Sequence, residues 1–173
     1  MLLRHAKSLW DDPQLPDHAR PLNPRGMQSA AAMRGAIAGL GFAPDLVLVS
    51  SARRTLQTLE MLQPWPAAPP VQTMDALYLA SAAQLLDMLH AVPADTACVM
   101  LIGHNPGLHD LALQLVGPTG LSRQDVVTQR LCEGFPTGAL AAFTLAADWA
   151  KVGPGGGRLD HFFGPRDLPE PAA

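Results

Sequence analysis

Short continuous apolar runs alternate with segments of helical periodicity along the whole chain, and that alternation restricts the folds open to it. Met1–His5, Leu46–Val49 and Ala97–Ile102 read as buried strands, Val71–Met74 as a candidate short third strand and Ala139–Ala146 as the last clear one, with an edge strand expected near Leu159–Phe163. Between them, Met27, Ala30, Met33, Ile37 and Leu40 mark one helix face; Ala52, Leu56, Leu59 and Leu62 a second; Ala82, Leu85, Leu86 and Leu89 a third; and Leu108, Leu111, Ala112, Leu115 and Val116 a fourth. Parallel neighbours need crossover connections, so the pattern predicts a single three-layer α/β/α domain over residues 1–173 with a mostly parallel central sheet. Ser50-Ser51 is expected to cap the second helix, Asn105 to cap the fourth with Pro106 in its first turn, and Gly117-Pro118 to end it.

The chain has 173 residues, 48% of them apolar, which suits a sizeable core. Twelve basic against fifteen acidic side chains leave a net charge of −3, and no basic block exceeds Arg53-Arg54, so nucleic acid is not an expected partner. No apolar run reaches the roughly 18 residues that span a bilayer, so no membrane partner is expected either. Cys98 and Cys132 have no metal-ligand spacing and no secretory leader precedes the first strand, so a reduced, cytoplasmic setting is expected. Trp10, Trp65 and Trp149 are scattered singly and read as core or rim packing, because a stacking platform would need them clustered with basic residues.

In sheets of this kind ligands bind beyond the carboxyl ends of the strands, which directs attention to Arg4-His5, Ser50–Arg54 and Gly103–Asn105. Two histidines and two or three arginines there would form a compact positive site. Arginine offers phosphate a planar fork of donors, and a neutral imidazole can attack phosphorus directly. A second histidine, if protonated, would stabilise charge on the equatorial oxygens. Phosphoryl transfer through a phosphohistidine follows, with no metal or other cofactor called for.

These residues also resemble a known family. Leu2-Leu3-Arg4-His5-Ala6 is similar to the Arg-His signature of the histidine phosphatase superfamily, which includes the phosphoglycerate mutases. Arg20-Pro21-Leu22-Asn23, Gly26, Ser50 with Arg54-Thr55 and Thr58, Gly103-His104-Asn105-Pro106 and Phe135-Pro136-Thr137-Gly138 resemble its small SixA-like phosphohistidine phosphatases. The resemblance implies a phosphoglycerate-mutase-like fold, His5 as phosphorylated nucleophile, Arg4 and Arg54 as phosphate clamps, and His104 as second catalytic histidine. Arg53 is the alternative to Arg54.

Arg20 is a candidate for substrate phosphate, or else a loop arginine paired with Asp17 or Asp12. Asn105 is a candidate for substrate binding besides its capping role. Larger superfamily members place a proton-donating carboxylate on a loop, and Asp75 is the acid in about the right place, with helix capping as its other reading. His18, His90, His109 and His161 are expected to be structural. The expected substrate is a phosphorylated protein carrying phosphohistidine or a similarly exposed phosphoryl group. The alternatives are a small phosphorylated metabolite, or a non-catalytic phosphate-binding module.

Overall fold

The computed structural model describes residues 1–123 and 125–168; the last five residues of the expected domain, 169–173, lie outside the described residues. Strands β1 (Leu2–Arg4), β2 (Leu46–Ser50), β3 (Val71–Met74), β4 (Val99–Gly103), β5 (Leu140–Leu145) and β6 (Gly157–Phe163) form one sheet in the order β3-β2-β4-β1-β5-β6. The first four run parallel, and β5 and β6 add an antiparallel edge. The helices are α1 (Pro24–Gly39), α2 (Arg53–Leu62), α3 (Ala82–His90), α4 (Gly107–Leu121) and α5 (Val126–Glu133).

Strand alternation sends successive side chains to opposite faces, and two cores follow. Leu3, Val47, Val49, Met100 and Ile102 pack with Met33, Ile37, Leu59 and Leu62 of α1 and α2. Leu2, Leu46, Leu48, Val99 and Leu101 pack with Leu85, Leu89, Leu108, Leu111, Leu115 and Leu131 of α3, α4 and α5. The three-layer arrangement is the one the periodicities predict.

Two local expectations, the caps of α2 and α4, are corrected. No serine side chain caps α2; its N-cap is Ala52, and Ser50 is turned to another use. Asn105 does not cap α4, whose N-cap is Pro106 without a side-chain bond. Gly117-Pro118 does end the main helix of α4, Gly117 leaving helical geometry at φ 66, ψ 171, and a separate short helical turn follows to Leu121. Finally, α5 has no counterpart in the sequence reading. Its eight residues have only Thr128 and Leu131 buried, so its apolar face is too short to show a period.

The strand order matters for function. With β4 between β2 and β1, the carboxyl ends of three parallel strands lie side by side: Arg4 pairs with Gly103, and Val49 with Ile102. The His5 amide extends this register by bonding the Gly103 carbonyl at 3.1 Å. Arg4-His5, Ser50 and His104 therefore meet at one edge.

Candidate active site

His5 and His104 lie with ring centroids 5.2 Å apart, and Arg54 bridges them. Its Nε donates to His5 Nε2 at 3.3 Å and its Nη2 to His104 Nδ1 at 3.2 Å. These contacts fix both tautomers. His5 Nδ1 lies 2.7 Å from the Ala6 carbonyl, which can only accept, so Nδ1 carries the proton and Nε2 presents its lone pair. His104 accepts at Nδ1, so its proton sits on Nε2 and is donated to Ser50 Oγ at 2.8 Å.

Both rings are 8% exposed or less. Burial, and then the neighbouring arginine cations, push His5 down to about 4 despite its bond to Ala6. Burial, and then His5 and Arg54, push His104 down to about 3. Both imidazoles are therefore neutral at pH 7 in the unliganded site. That suits attack by His5. For His104 it means that the cationic form anticipated from the sequence is available only when an anion is bound beside it.

Arg54 is 4% exposed, whereas Arg53 is exposed on the outer side of the same turn. The guanidinium is also held by Asp17: Nη1 donates to its backbone carbonyl at 2.6 Å, and Nη2 to its carboxylate at 3.0 Å. Tyr78 donates its hydroxyl to the same carboxylate oxygen at 2.6 Å and sets its ring edge-on to His104, centroids 5.4 Å apart. The Tyr78 hydroxyl, and then Arg54, hold the Asp17 carboxyl below its ordinary range, while Tyr78 is raised by that same bond.

The motif threonines fasten the strand that carries His5 to α2. Thr58 Oγ1 accepts from the Ala6 amide at 3.0 Å and donates to the Arg54 carbonyl at 2.6 Å, while Thr55 Oγ1 donates to the carbonyls of Ser50 and Ala52. Arg4 Nη1 and Asn105 Nδ2 both donate to the Phe135 carbonyl, at 2.8 and 2.9 Å. Gly138 lies at φ 78, where its amide reaches the carbonyls of Arg4 and His5. Arg4 Nε and Asn105 Oδ1 are buried without a partner, which leaves one donor and one acceptor free at this edge.

The structure thus brings Arg4, His5, Arg54, His104 and Asn105 to one cavity of about 650 Å³. It does not bring Arg20 or Asp75 there. Arg20 lies with its guanidinium 4.0 Å over the Trp10 ring and its Nε 3.9 Å from Asp17, a loop pairing of the kind its sequence allows. Asp75 is exposed at the start of a 3₁₀ turn, Asp75–Leu77, with no side-chain capping bond, and its carbonyl accepts the Tyr78 amide. Its turn is what delivers Tyr78.

The sequence does not single out Asp17 or Tyr78 for the site, and it points to Ser50 only as part of a strand end and motif. The chain holds one tyrosine, three residues past the acid that drew attention, and that singularity was the available signal. Of the remaining histidines, His90 and His109 are bonded to the carbonyls of Val152 and Leu131, and His18 to Ser51 Oγ.

A model of the histidine phosphatase superfamily (branch 1) matches residues 1–105. The chain belongs to that superfamily. An uncharacterized protein of Mycobacterium tuberculosis is 34% identical over 164 residues, 95% of this chain and all of that one. An uncharacterized chloroplastic protein of Arabidopsis thaliana is 32% identical over 177 residues, covering 95% of this chain and 77% of its own. Among solved structures, a candidate phosphohistidine phosphatase SixA from Nakamurella multipartitia is 30% identical with a TM-score of 0.80, and one from Agrobacterium tumefaciens 30% identical with a TM-score of 0.78; each match covers 94% of both chains. The fold is that of the SixA structures, and membership in the superfamily together with the SixA likeness supports a phosphatase of the hydrolase class.

Proposed function

We propose that this histidine phosphatase hydrolyses phosphohistidine, or a similarly labile exposed phosphoryl group on a protein, through a phosphohistidine at His5 and without a metal. His5 Nε2 attacks phosphorus as the bond to the leaving group breaks. Arg54, Arg4 and, once the bound anion has drawn a proton onto its Nδ1, His104 are the donors for the phosphoryl oxygens, and electrostatic stabilisation of that kind carries phosphoryl transfer. Water then forms the new P–O bond, the Nε2–P bond breaks, and phosphate leaves with His5 neutral again.

The observation that carries the substrate reading concerns carboxylates. Among the described residues, the two that line the cavity are Asp17 and Asp167. Tyr78 and Arg54 hold Asp17 as the anion, and the Arg130 guanidinium and Gly164 amide hold Asp167 below its ordinary range against the opposing effect of burial. Neither side chain keeps a proton to give at neutral pH. An alkoxide leaving group needs that proton in the transition state, whereas imidazole, with an ordinary pKa near 6.5, departs after protonation from solvent. The two 30%-identical SixA candidates support the same substrate class.

The test compares single-turnover rates on a phosphohistidine protein and on an alkyl phosphate, in chelator-treated buffer. Faster cleavage of phosphohistidine by at least about 10²-fold, the typical worth of a general acid, is expected. Equal rates on both substrates, or activity abolished by chelation and restored by one divalent metal, would overturn the reading. Alkyl phosphates as the faster substrates would favour a small phosphorylated metabolite instead.

A further inference from the structure

The protein carries a net charge of −3, yet six of its twelve lysines and arginines line the one cavity that holds His5: Arg4, Lys7, Arg25, Arg54, Arg130 and Arg166. Arg54 is paired with Asp17, Arg130 with Asp167, and Arg4 is bonded to the Phe135 carbonyl. Among the described residues, Lys7, Arg25 and Arg166 have no carboxylate partner and all three are exposed; Lys7 and Arg25 stand together on one wall.

Their placement is fixed by backbone. The Lys7 carbonyl accepts the Asn23 amide at 3.0 Å, and a Cβ on Gly26 would lie 2.1 Å from that carbonyl, so the segment after His5 is pressed against the first turn of α1, where Arg25 sits. Trp10 stands beside them, 68% exposed and backed by the Arg20 guanidinium. Lys7, Ser8, Trp10 and Arg25 also line a second concavity of about 440 Å³, which runs on past Leu9, Asp11 and Pro24 toward the open surface. A site for phosphate alone would need none of this. The groove adjoins the cavity that holds His5, sharing with it Lys7, Ser8, Trp10 and Arg25, so the join is positively charged and has a flat aromatic wall.

We propose that Lys7, Trp10 and Arg25 form a subsite for acidic residues that flank the phosphorylated position of a polypeptide substrate. The inference rests on the phosphohistidine-protein reading above and names what selects among such proteins. Lys7 is two residues from His5, a span of at most about 7 Å, so the acidic residues it meets lie within about two positions of the phosphohistidine in an extended chain. Aspartate or glutamate there meets Lys7 and Arg25, while the apolar part of the chain lies on Trp10.

The experiment uses two phosphohistidine peptides of one sequence, flanked either by Asp and Glu or by Asn and Gln, with an aryl phosphate as reference. Two exposed charge pairs give a preference of about tenfold in kcat/KM for the acidic peptide, carried mainly by KM. That preference falls to about twofold or less in the Lys7→Gln/Arg25→Gln double variant and in about 0.5 M salt, where the screening length is roughly 4 Å. Arg53→Gln, an exposed change outside the cavity, keeps it. Equal cleavage of both peptides by the wild-type protein overturns the subsite and leaves phosphohistidine as substrate. An acidic preference that survives in the double variant overturns its assignment to this wall. Cleavage of the aryl phosphate with neither peptide touched overturns the phosphohistidine reading and the subsite with it.

Discussion

His5, Arg54 and His104 are 8%, 4% and 3% exposed and are tied to one another and to Ser50 by hydrogen bonds, whereas Lys7, Trp10 and Arg25, on the wall of the same cavity, are exposed, and Lys7 and Arg25 lack ion-pair partners among the described residues. The floor is pre-organised. Its tautomers and charge states are set before any substrate arrives, because the low dielectric of a buried site magnifies each polar contact. The wall is solvated, and its charges act only when a partner excludes water from them. One region decides what bond is broken, and the other which molecule presents it.

The largest effect should come from His5. His5→Ala is expected to reduce turnover by about 10⁴-fold or more, with an unchanged circular dichroism spectrum because the side chain ends a strand at the sheet edge. Wild-type protein quenched during turnover should yield an acid-labile, base-stable phosphoryl group on the peptide that contains His5. Label on His104 or on a serine would break the assignment of roles within the floor.

Arg54→Ala should cost about 10² to 10³ in kcat/KM, since it removes a buried charge shared by both histidines. Arg53→Ala, one residue away and exposed, should stay within about threefold. Comparable losses in the two variants would erase the distinction between buried and solvated cations.

The next prediction reads proton affinity. Burial and the arginine cations hold His5 at about 4 and His104 at about 3, so NMR titration should leave both rings neutral through pH 5, well below an ordinary histidine near 6.5. Between those values and about 6.5 the unfolded chain binds more protons than the folded one, so this contribution to stability grows as pH rises through the window and is lost on acidification. Added inorganic phosphate should move the His104 midpoint upward, because an adjacent anion favours the imidazolium. Midpoints near 6.5 without phosphate would show that the floor is wetter than its geometry implies.

The smallest effect belongs to Asp75→Asn, which should change phosphohistidine hydrolysis by less than about twofold, because the residue is exposed and does not line the cavity. A loss of about 10² confined to alkyl phosphates would instead identify it as a general acid.

The floor was largely legible in the sequence because its members follow apolar runs that can only be buried parallel strands. Leu2-Leu3-Arg4-His5 and Leu101-Ile102-Gly103-His104 announce both a strand and what it delivers. The resemblance, rather than any local period, favoured Arg54 over Arg53, since the family motif places its arginine four residues after the serine. Asp17 escaped because it sits in a polar loop whose path is set by long-range contacts, such as the Ser8–Leu22 bridge and the Leu22 amide on Gln57 Oε1, which no local period encodes. Arg20, open in the sequence to either phosphate or a loop pairing, lies in the same loop, over Trp10 and beside Asp17. The cation wall was invisible for a related reason: Lys7 and Arg25 lie 18 positions apart and are adjacent only because Gly26 lets two backbones touch.

That one carbonyl, of Phe135, receives both Arg4 and Asn105 has a consequence for building chimeras. The stretch that matches the superfamily ends at residue 105, so a designer would be tempted to splice there and treat the remainder as interchangeable. The peptide unit that anchors residues 4 and 105 is contributed thirty positions downstream, in the turn leading into β5. A graft that keeps the signature but replaces residues 134–138 would transplant the reactive groups without their shared mooring, so the smallest portable version of this site has two separate pieces.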